Sequence, residues 1–245
     1  MKIANGVYML EISANIMGKP SVIHPTLIWD NETVILIDTG FPGQLPQIRE
    51  AIDEVGVSFD RLNMVILTHQ DIDHVGGLSS ILKELPNTVV VLAHNEEKAY
   101  IQGEKLPVKV AQLQAHLNLL PKEMKAIYEK MKAFYENNKS IVDKTITDGE
   151  ELPYGGGITV IYTPGHTPGH ISLYLKEAKT LIAGDTMNVE DGLLVQASLS
   201  ATFDMALSIQ SLKKLMNYDI ETVICYHGGL FKDNANQRIA ELANS

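Results

Sequence analysis

Side chains that could bind metal ions are concentrated in one short run of this chain and recur at three later points. The run, residues 68–74, reads THQDIDH and supplies two histidines and two aspartates. Imidazole and carboxylate groups are the ligands that borderline and hard divalent metals take in proteins. All these side chains together could hold two metal ions with room for a bridging water. The candidates are His69, Asp71, Asp73, His74, His166, Asp185 and His227.

Each group of candidates follows a segment that has the composition of a strand. Four short apolar segments, 64–67, 158–162, 180–183 and 222–226, lie just before His69, His166, Asp185 and His227. Open α/β sheets place their chemistry just outside the carboxyl ends of strands. The spacing therefore predicts that four strands deliver the ligands to one edge of the fold.

The remaining elements predict a single α/β domain over residues 1–245. Strands are expected at 7–12, 26–29 and 33–37, and a helix at 45–55 that Gly56 ends. A helical insertion is predicted at about 95–144. Its apolar stripe is expected to pack on the core, and a cover over the substrate pocket or a dimer contact remain open. The stripe consists of Leu113, Leu117, Leu120, Met124, Ile127, Met131 and Phe134.

The composition limits the classes of partner. The formal charge is -10 and the pI is about 5.2, which argues against nucleic acid because binding phosphates requires clustered Lys and Arg. The sequence shows neither a signal peptide nor an apolar run of the ~20 residues that would span a bilayer. One cysteine, Cys225, fits a reducing compartment. We therefore expect a cytoplasmic protein with a small-molecule substrate and no membrane partner, and a homodimer is compatible with the apolar stripe.

Several motifs resemble those of one known family. The run at 68–74 resembles the His-x-His-x-Asp-His motif of the metallo-β-lactamase superfamily. The segment PGHTPGH at 164–170, the pair Gly184-Asp185 and the late His227 resemble the later motifs of that superfamily, in the same order. The resemblance extends from Asp38 to His227. It implies a four-layer αββα sandwich with a metal site at the edge between two sheets.

The resemblance also implies a division of the ligands between two metal ions. The first would be held by His69, residue 71 and His166, and the second by Asp73, His74 and His227, with Asp185 bridging both.

Three of the aspartates and histidines have further implied or expected roles. Asp38 resembles the carboxylate that orients a ligand histidine in this superfamily. His170 is expected to support the site without binding metal, because the ligand set is complete without it. Asp73 could also accept a proton during the reaction, so that Asp73 and Asp185 are the catalytic candidates.

The chain departs from the superfamily pattern at position 71, where Asp replaces His. The site then contains three carboxylates, Asp71, Asp73 and Asp185, whose charges together with one hydroxide balance two divalent cations. A more neutral site should acidify bound water less and should favour iron or manganese over zinc at the first metal. An alternative is that Asp71 leaves the first metal position weak or empty.

The predicted reaction is hydrolysis of a small ester-like bond, such as a lactone or a thioester. Two metal ions can share a hydroxide that attacks an electrophilic carbon. The alternative is a redox di-iron centre that reduces oxygen or nitric oxide with a separate electron donor, because flavodiiron proteins carry a carboxylate at the position of Asp71. Specificity is expected from residues 12–24, 95–144 and 187–201, and residues 15–20 could form a mobile flap.

Overall fold

Two β-sheets and the helices that cover them make up the fold. The structure is a computed structural model that describes residues 1–16 and 18–245. The strands are β1 (Lys2–Ala4), β2 (Val7–Met9), β3 (Ile12–Ile16), β4 (Lys19–Ile23), β5 (Thr26–Trp29), β6 (Val34–Ile37), β7 (Met64–Leu67), β8 (Val90–His94), β9 (Lys144–Ile146), β10 (Glu151–Leu152), β11 (Ile158–Tyr162), β12 (Ile171–Leu175), β13 (Thr180–Gly184), β14 (Met187–Glu190), β15 (Leu193–Gln196), β16 (Thr222–Cys225) and β17 (Gly229–Phe231). The α-helices are α1 (Leu45–Glu54), α2 (Ile72–Val75), α3 (Leu78–Glu84), α4 (Asn95–Ile101), α5 (Val108–Ala115), α6 (Lys122–Asn137), α7 (Met205–Leu215) and α8 (Ala235–Ala243).

In the described residues most strands form one seven-stranded sheet and one six-stranded sheet, while β3 with β4 and β14 with β15 form two-stranded sheets. The order is β1-β2-β5-β6-β7-β8-β9 in the first and β10-β11-β12-β13-β16-β17 in the second. Strands β6 to β9 run parallel. In the second sheet β13 and β16 are parallel, and β11 runs the same way because β12 is antiparallel to both β11 and β13. The carboxyl ends of β11, β13 and β16 therefore lie at one edge of their sheet.

Alternating side chains on the strands build the layers. In β6, Val34 and Leu36 belong to the core beneath the helices, whereas Ile35 and Ile37 belong to the core between the sheets. A third apolar cluster lies between the second sheet and helices α7 and α8. Because successive side chains of a strand point to opposite faces, each sheet is covered on both sides. The result is the predicted four-layer αββα sandwich, with one apolar core shared between the two sheets.

The segment predicted as a helical insertion is the connection between two parallel strands. Residues 95–144 contain α4, α5 and α6 and join β8 to β9, which pair in parallel. Its last residue, Lys144, begins β9 and is not helical. The apolar stripe is divided between separate helices because Pro121 precedes α6, but Leu113, Met131 and Phe134 do pack against the core beneath the first sheet. We refer to residues 95–143 as the helical crossover.

Three local predictions were inaccurate. The strand expected at 7–12 is divided, since β2 pairs with β5 while β3 leaves the sheet and pairs with β4. Asp73 and His74 lie in the helical turn α2, where no helix was predicted. The last strand before His227 ends at Cys225, one residue earlier than expected. The flap expected at residues 15–20 includes Met17, which lies outside the described residues.

Candidate metal centre

The seven candidate ligands meet at the edge where the two sheets approach each other. They form two groups, and within each group one ligand atom per residue lies within 4.8 Å of all the others. Asp185 belongs to both, so the structure brings together every ligand expected from the sequence. The first group is His69, Asp71, His166 and Asp185, and the second group is Asp73, His74, Asp185 and His227.

The first group is centred on one oxygen of Asp71. Asp71 Oδ2 lies 3.2 Å from His69 Nε2 and 3.0 Å from His166 Nε2. Asp185 Oδ2 lies 3.3 Å from His166 Nε2. All four side chains are buried. The aspartate at position 71 therefore points into the group, as a ligand at this position would.

The second group is more exposed on one side. Asp73 Oδ2 lies 3.1 Å from His227 Nε2, and the two side chains are 15% and 24% exposed. Asp185 Oδ1 lies 3.4 Å from His74 Nε2, and Asp185 Oδ2 lies 3.4 Å from His227 Nε2. Each oxygen of Asp185 thus faces a histidine of this group, and Oδ2 faces the first group as well. A carboxylate in this place can bridge two ions.

The donor atoms of the second group fit a metal ion. His74 Nε2 and Asp185 Oδ1 are fully buried and have no hydrogen-bond partner among residues 1–16 and 18–245. A buried polar atom without a partner costs free energy, and in native proteins it usually has an explanation. Two such atoms 3.4 Å apart, beside further carboxylate and imidazole groups, suit a divalent cation between them.

Asp38 orients two of the histidines from behind. Its Oδ2 accepts hydrogen bonds from His74 Nδ1 at 2.8 Å and from Thr68 Oγ1 at 2.8 Å, and its Oδ1 accepts one from the Thr68 amide. Thr68 Oγ1 also lies 2.9 Å from His69 Nδ1. These contacts leave the Nε2 atoms of His74 and His69 facing the groups. Asp38 has φ +62°, a left-handed conformation that Asp tolerates better than most residues.

His170 supports the bridging aspartate and belongs to neither group. Its Nε2 accepts a hydrogen bond from the backbone N–H of Asp185 at 2.9 Å, and its Nδ1 lies 2.9 Å from Thr163 Oγ1. Burial holds the pKa of His170 well below its usual value. A neutral ring can accept the hydrogen bond from the Asp185 amide. His170 therefore fixes the start of the loop that carries the shared ligand.

Lys109 was not anticipated from the sequence. Its Nζ lies 2.5 Å from Asp71 Oδ2 and 3.3 Å from His166 Nε2, although it is distant in sequence from both. Its charge restores the one positive charge that Asp71 removes from the superfamily pattern. A lysine in a helix gives no sequence signal for a buried contact. Only the need of a buried carboxylate for a cation could have suggested such a partner.

A second set of contacts ties the first group to the helical crossover. Gln70 donates from Nε2 to Glu97 Oε2 at 2.8 Å, and its Oε1 accepts the Val108 amide at 2.8 Å. Glu97 Oε1 accepts hydrogen bonds from Thr167 Oγ1 and the Gly169 amide, each at 2.7 Å. The two loops that carry Asp71 and His166 are therefore joined through one buried carboxylate. Sequence reasoning also missed these residues.

Burial and neighbouring charges shift the pKa values of the site strongly. Burial and the nearby His74 together lower the pKa of His69 to about 4. Burial opposes the charge of His227, but Asp185 and Asp73 raise the pKa of His227 to about 10. Burial would raise the pKa of Asp71, yet Lys109 and His69 hold it well below its usual value. The site is thus built to keep its carboxylates ionised.

Comparisons with known proteins agree with this geometry. The sequence model of the metallo-β-lactamase superfamily matches residues 18–227, which span every candidate ligand. The chain belongs to the metallo-β-lactamase superfamily. The expected αββα superfamily fold and the expected family membership are both confirmed. A probable metallo-hydrolase of Bacillus subtilis, YflN, is 31% identical over 86% of this chain and 81% of its own length.

Other superfamily members are more distant. A hydroxyacylglutathione hydrolase of Buchnera aphidicola is 27% identical over 86% of this chain and 64% of its own length. The crystal structure of a metallo-β-lactamase family protein of Thermus thermophilus superposes with a TM-score of 0.77 at 23% identity, over 99% of this chain and 80% of that chain. A metallo-β-lactamase of Pontibacter korlensis gives a TM-score of 0.71 at 17% identity, over 100% of this chain and 98% of that chain.

Membership assigns this chain to the metal-dependent hydrolases of the metallo-β-lactamase superfamily, as the sequence predicted. None of the helices in the described residues has both the length and the hydrophobicity that a membrane crossing requires.

Proposed function

We propose that this superfamily member is a binuclear hydrolase that cleaves a small ester-like substrate, such as a lactone or a thioester. The observation that carries the proposal is the pair of four-residue groups that share Asp185. Each group offers two imidazoles and two carboxylates, a donor set that a divalent metal accepts in tetrahedral or larger coordination. The roles of the individual residues follow from their contacts.

When bound, two divalent ions would supply an acidified water and Lewis-acid contacts for a substrate oxygen. The chain supplies positioning and proton transfer. Asp38 and His170 hold His74 and Asp185 in place. Asp73 is the more exposed carboxylate of the second group, and its backbone carbonyl accepts the hydroxyl of Tyr226, whose ring packs 3.9 Å from that of His74. Asp73 is therefore fixed, accessible to substrate, and suited to accept a proton.

The relatives support hydrolysis of an ester-like bond. The hydroxyacylglutathione hydrolase of Buchnera aphidicola aligns over most of this chain, which makes thioesters one substrate class to test. The exposed side chain of Phe203 is a further observation in favour of a substrate with an apolar part. Its amide donates to the carbonyl of His166 at 3.2 Å, and its side chain is 52% exposed beside the His166 loop.

Metal analysis and a substrate panel on the same preparation test this proposal. The protein is purified without a metal-binding tag, its metals are measured by elemental mass spectrometry, and it is assayed on lactones, thioesters and phosphodiesters. We expect about two metal ions per chain and turnover of lactones or thioesters. Fewer than two ions after reconstitution, together with no turnover, would contradict the proposal.

The preparation also tests which metals the three carboxylates favour. We propose iron or manganese at the first group, because Asp71 is a harder ligand than histidine. Two tightly bound zinc ions and full activity in the natural chain, with a weaker Asp71→His enzyme, would exclude this preference.

A second candidate function rests on the same aspartate. Asp71 faces the first group as a carboxylate ligand would, which is compatible with a redox di-iron centre that reduces oxygen or nitric oxide with a separate electron donor. Coloured, iron-containing protein with redox turnover would favour this function. Colourless protein that hydrolyses esters would favour hydrolysis.

A further inference from the structure

The amino group of Lys109 lies within hydrogen-bond distance of the atoms that a metal in the first group would need. Its Nζ is 2.5 Å from Asp71 Oδ2 and 3.3 Å from His166 Nε2. Asp71 Oδ2 is also the atom nearest to His69 Nε2 and His166 Nε2. The ammonium group therefore binds two of the four donor atoms of the first group.

A hydrogen bond between the residue that precedes Asp71 and the residue that precedes Lys109 holds this contact in place. Gln70 precedes Asp71, and Val108 precedes Lys109. The Oε1 atom of Gln70 accepts a hydrogen bond from the Val108 amide at 2.8 Å. Val108 and Val110 are buried, so the first turn of α5 is anchored against the core on both sides of Lys109. The lysine is 31% exposed and approaches Asp71 from the helical crossover. The pairing of Lys109 with Asp71 is thus set by the backbone as well as by charge.

No lysine or arginine side chain pairs with the second group among residues 1–16 and 18–245. Asp73, Asp185 and His227 form ion pairs only with one another and with neighbouring histidines in the part of the chain that the structure describes. The two groups otherwise have the same donor types, two histidines and two aspartates with Asp185 in common. Within the described residues, Lys109 is therefore the one lysine or arginine side chain that pairs with either group.

The candidate ligand histidines of the two groups also differ in the hydrogen-bond partners of their Nδ1 atoms. His74 Nδ1 is held by Asp38 at 2.8 Å. His166 Nδ1, in the first group, is buried and has no partner among residues 1–16 and 18–245. A ligand histidine that lacks an orienting partner binds metal less strongly.

We propose that Lys109 is a resident cation that competes with metal for Asp71 and His166, so that the two metal positions have unequal affinities and the second group fills first. An ion that enters the first group must displace the ammonium group from Asp71 Oδ2. Lys109 then remains next to a divalent ion of like charge, which lowers the affinity further. This inference rests on the proposed two-metal function, and it makes Lys109 a residue that sets metal occupancy.

The test is a competition titration of metal-free protein with zinc alone against a chromophoric chelator. Lys109→Met removes the charge and keeps most of the chain length, and Lys109→Gln is the second variant if the first does not fold by circular dichroism. Lys105→Met is the matched control, because Lys105 is an exposed lysine of the same crossover whose amino group lies over the ring of Tyr100, 5.5 Å from its centroid. All proteins are titrated at the same pH and ionic strength.

We expect two zinc ions to bind the natural chain with distinct dissociation constants. Lys109→Met should tighten the weaker constant by about tenfold or more, the value of one charge-assisted hydrogen bond, and should change the tighter constant much less. Lys105→Met should match the natural chain. One ion bound to the natural chain and two to Lys109→Met would also support the inference.

Two results would overturn it, and they differ in what they say about the function. If two zinc ions bind but Lys109→Met leaves the weaker constant unchanged or makes it weaker, Lys109 does not compete with metal and only this inference fails. If fewer than two ions bind both the natural chain and the variants, the proposed two-metal function fails as well.

Discussion

The two halves of the metal centre contain the same kinds of ligand but differ in what surrounds them. In the first group a lysine binds Asp71, and His166 has no orienting partner within the described residues. In the second group Asp38 orients His74, and the buried donor atoms of His74 and Asp185 remain free of partners there. Equal donor sets therefore need not give equal metal affinity, because surrounding charges and hydrogen bonds decide how available each donor is.

The presence of Lys109 also changes the charge balance of the site. From the ligands alone, three carboxylates and a hydroxide neutralise two divalent ions. The contact between Lys109 and Asp71 adds one positive charge, so the total equals that of a site with histidine at position 71. Asp71 and Lys109 together thus replace one neutral histidine, but they place the compensating charge on a side chain that metal must displace.

Loss of Asp185 should have the largest effect, because it is the one ligand that the two groups share. Asp185→Asn is expected to weaken both zinc ions and to reduce kcat/KM by more than the ~10–100-fold that loss of an outer hydrogen-bond partner costs. Zinc titration and ester assays measure the two effects. Asp191→Asn is the control, since Asp191 is exposed in the turn between β14 and β15. Loss of only one zinc ion would show that Asp185 does not bridge.

Asp38→Asn should affect zinc binding by the two groups to different extents. Asn is nearly isosteric and tolerates the left-handed backbone, but it presents an amide NH₂ where Asp38 now accepts hydrogen bonds from Thr68 and His74. We expect the tighter zinc constant to weaken by about 10–100-fold and the weaker constant to change less. Equal weakening of both constants would show that Asp38 acts on the whole site through Thr68.

Proton release should also differ between the two ions. The carboxylates Asp185, Asp38 and Asp73 raise the pKa of His74 well above its usual value against the effect of burial, and the pKa of His227 is about 10. Without metal, both rings therefore hold a proton more tightly than an ordinary histidine does, whereas burial and His74 lower the pKa of His69 to about 4. Binding of the tighter ion should then release more protons than binding of the weaker ion, and its affinity should fall as the pH falls.

Calorimetry in buffers of different ionisation enthalpy counts these protons. The weaker ion is expected to release about one proton or fewer, because His69 has none to lose. A larger release with the weaker ion than with the tighter one would assign the first-filled position to the first group.

Glu97→Gln should have the smallest effect on the metals and a distinct effect on stability. Glu97 contacts the first group only through Gln70 and the Thr167 loop, so the weaker zinc constant should change by less than about tenfold and the tighter one hardly at all. Burial raises the pKa of Glu97 to about 7 from 4.5, although its three hydrogen bonds oppose this. The folded protein therefore binds the Glu97 proton more tightly than the unfolded chain does.

Glu97 makes the free energy of unfolding decrease as the pH rises from about 4.5 through 7, by about 3 kcal/mol in total. Urea unfolding of metal-free protein at pH 5 and pH 8 measures it, and Glu97→Gln should lack this part of the decrease. The same pH dependence in both proteins would place the Glu97 pKa near its usual value.

The sequence predicted the ligands because strand ends and polar runs are local features. Each candidate ligand lies within a few residues of an apolar strand, so composition and order along the chain were sufficient to predict that the candidates lie together. Strands β5, β7 and β11 have the predicted bounds for the same reason. The hydrogen bonds of Asp38 and His170 agree with the supporting positions that the sequence suggested.

Lys109, Glu97 and Gln70 could not be found in this way. Lys109 and Asp71 are 38 residues apart in sequence and meet only because the helical crossover folds back over the ligand run. Glu97 and Lys109 lie in helices where charged residues are usually solvated, and nothing in their local sequence distinguishes a buried carboxylate from an exposed one. The asymmetry between the two groups is therefore a tertiary property.

Anomalous X-ray diffraction at the zinc absorption edge tests the asymmetry most directly. Crystals of the natural chain are prepared with one equivalent of zinc and with an excess, and the occupancy of each position is refined. We expect one equivalent to give anomalous density among Asp73, His74, Asp185 and His227, with density beside Asp71 appearing only in excess zinc. Density that appears first beside Asp71, or equally at both positions, would contradict the unequal affinities that we assign to Lys109.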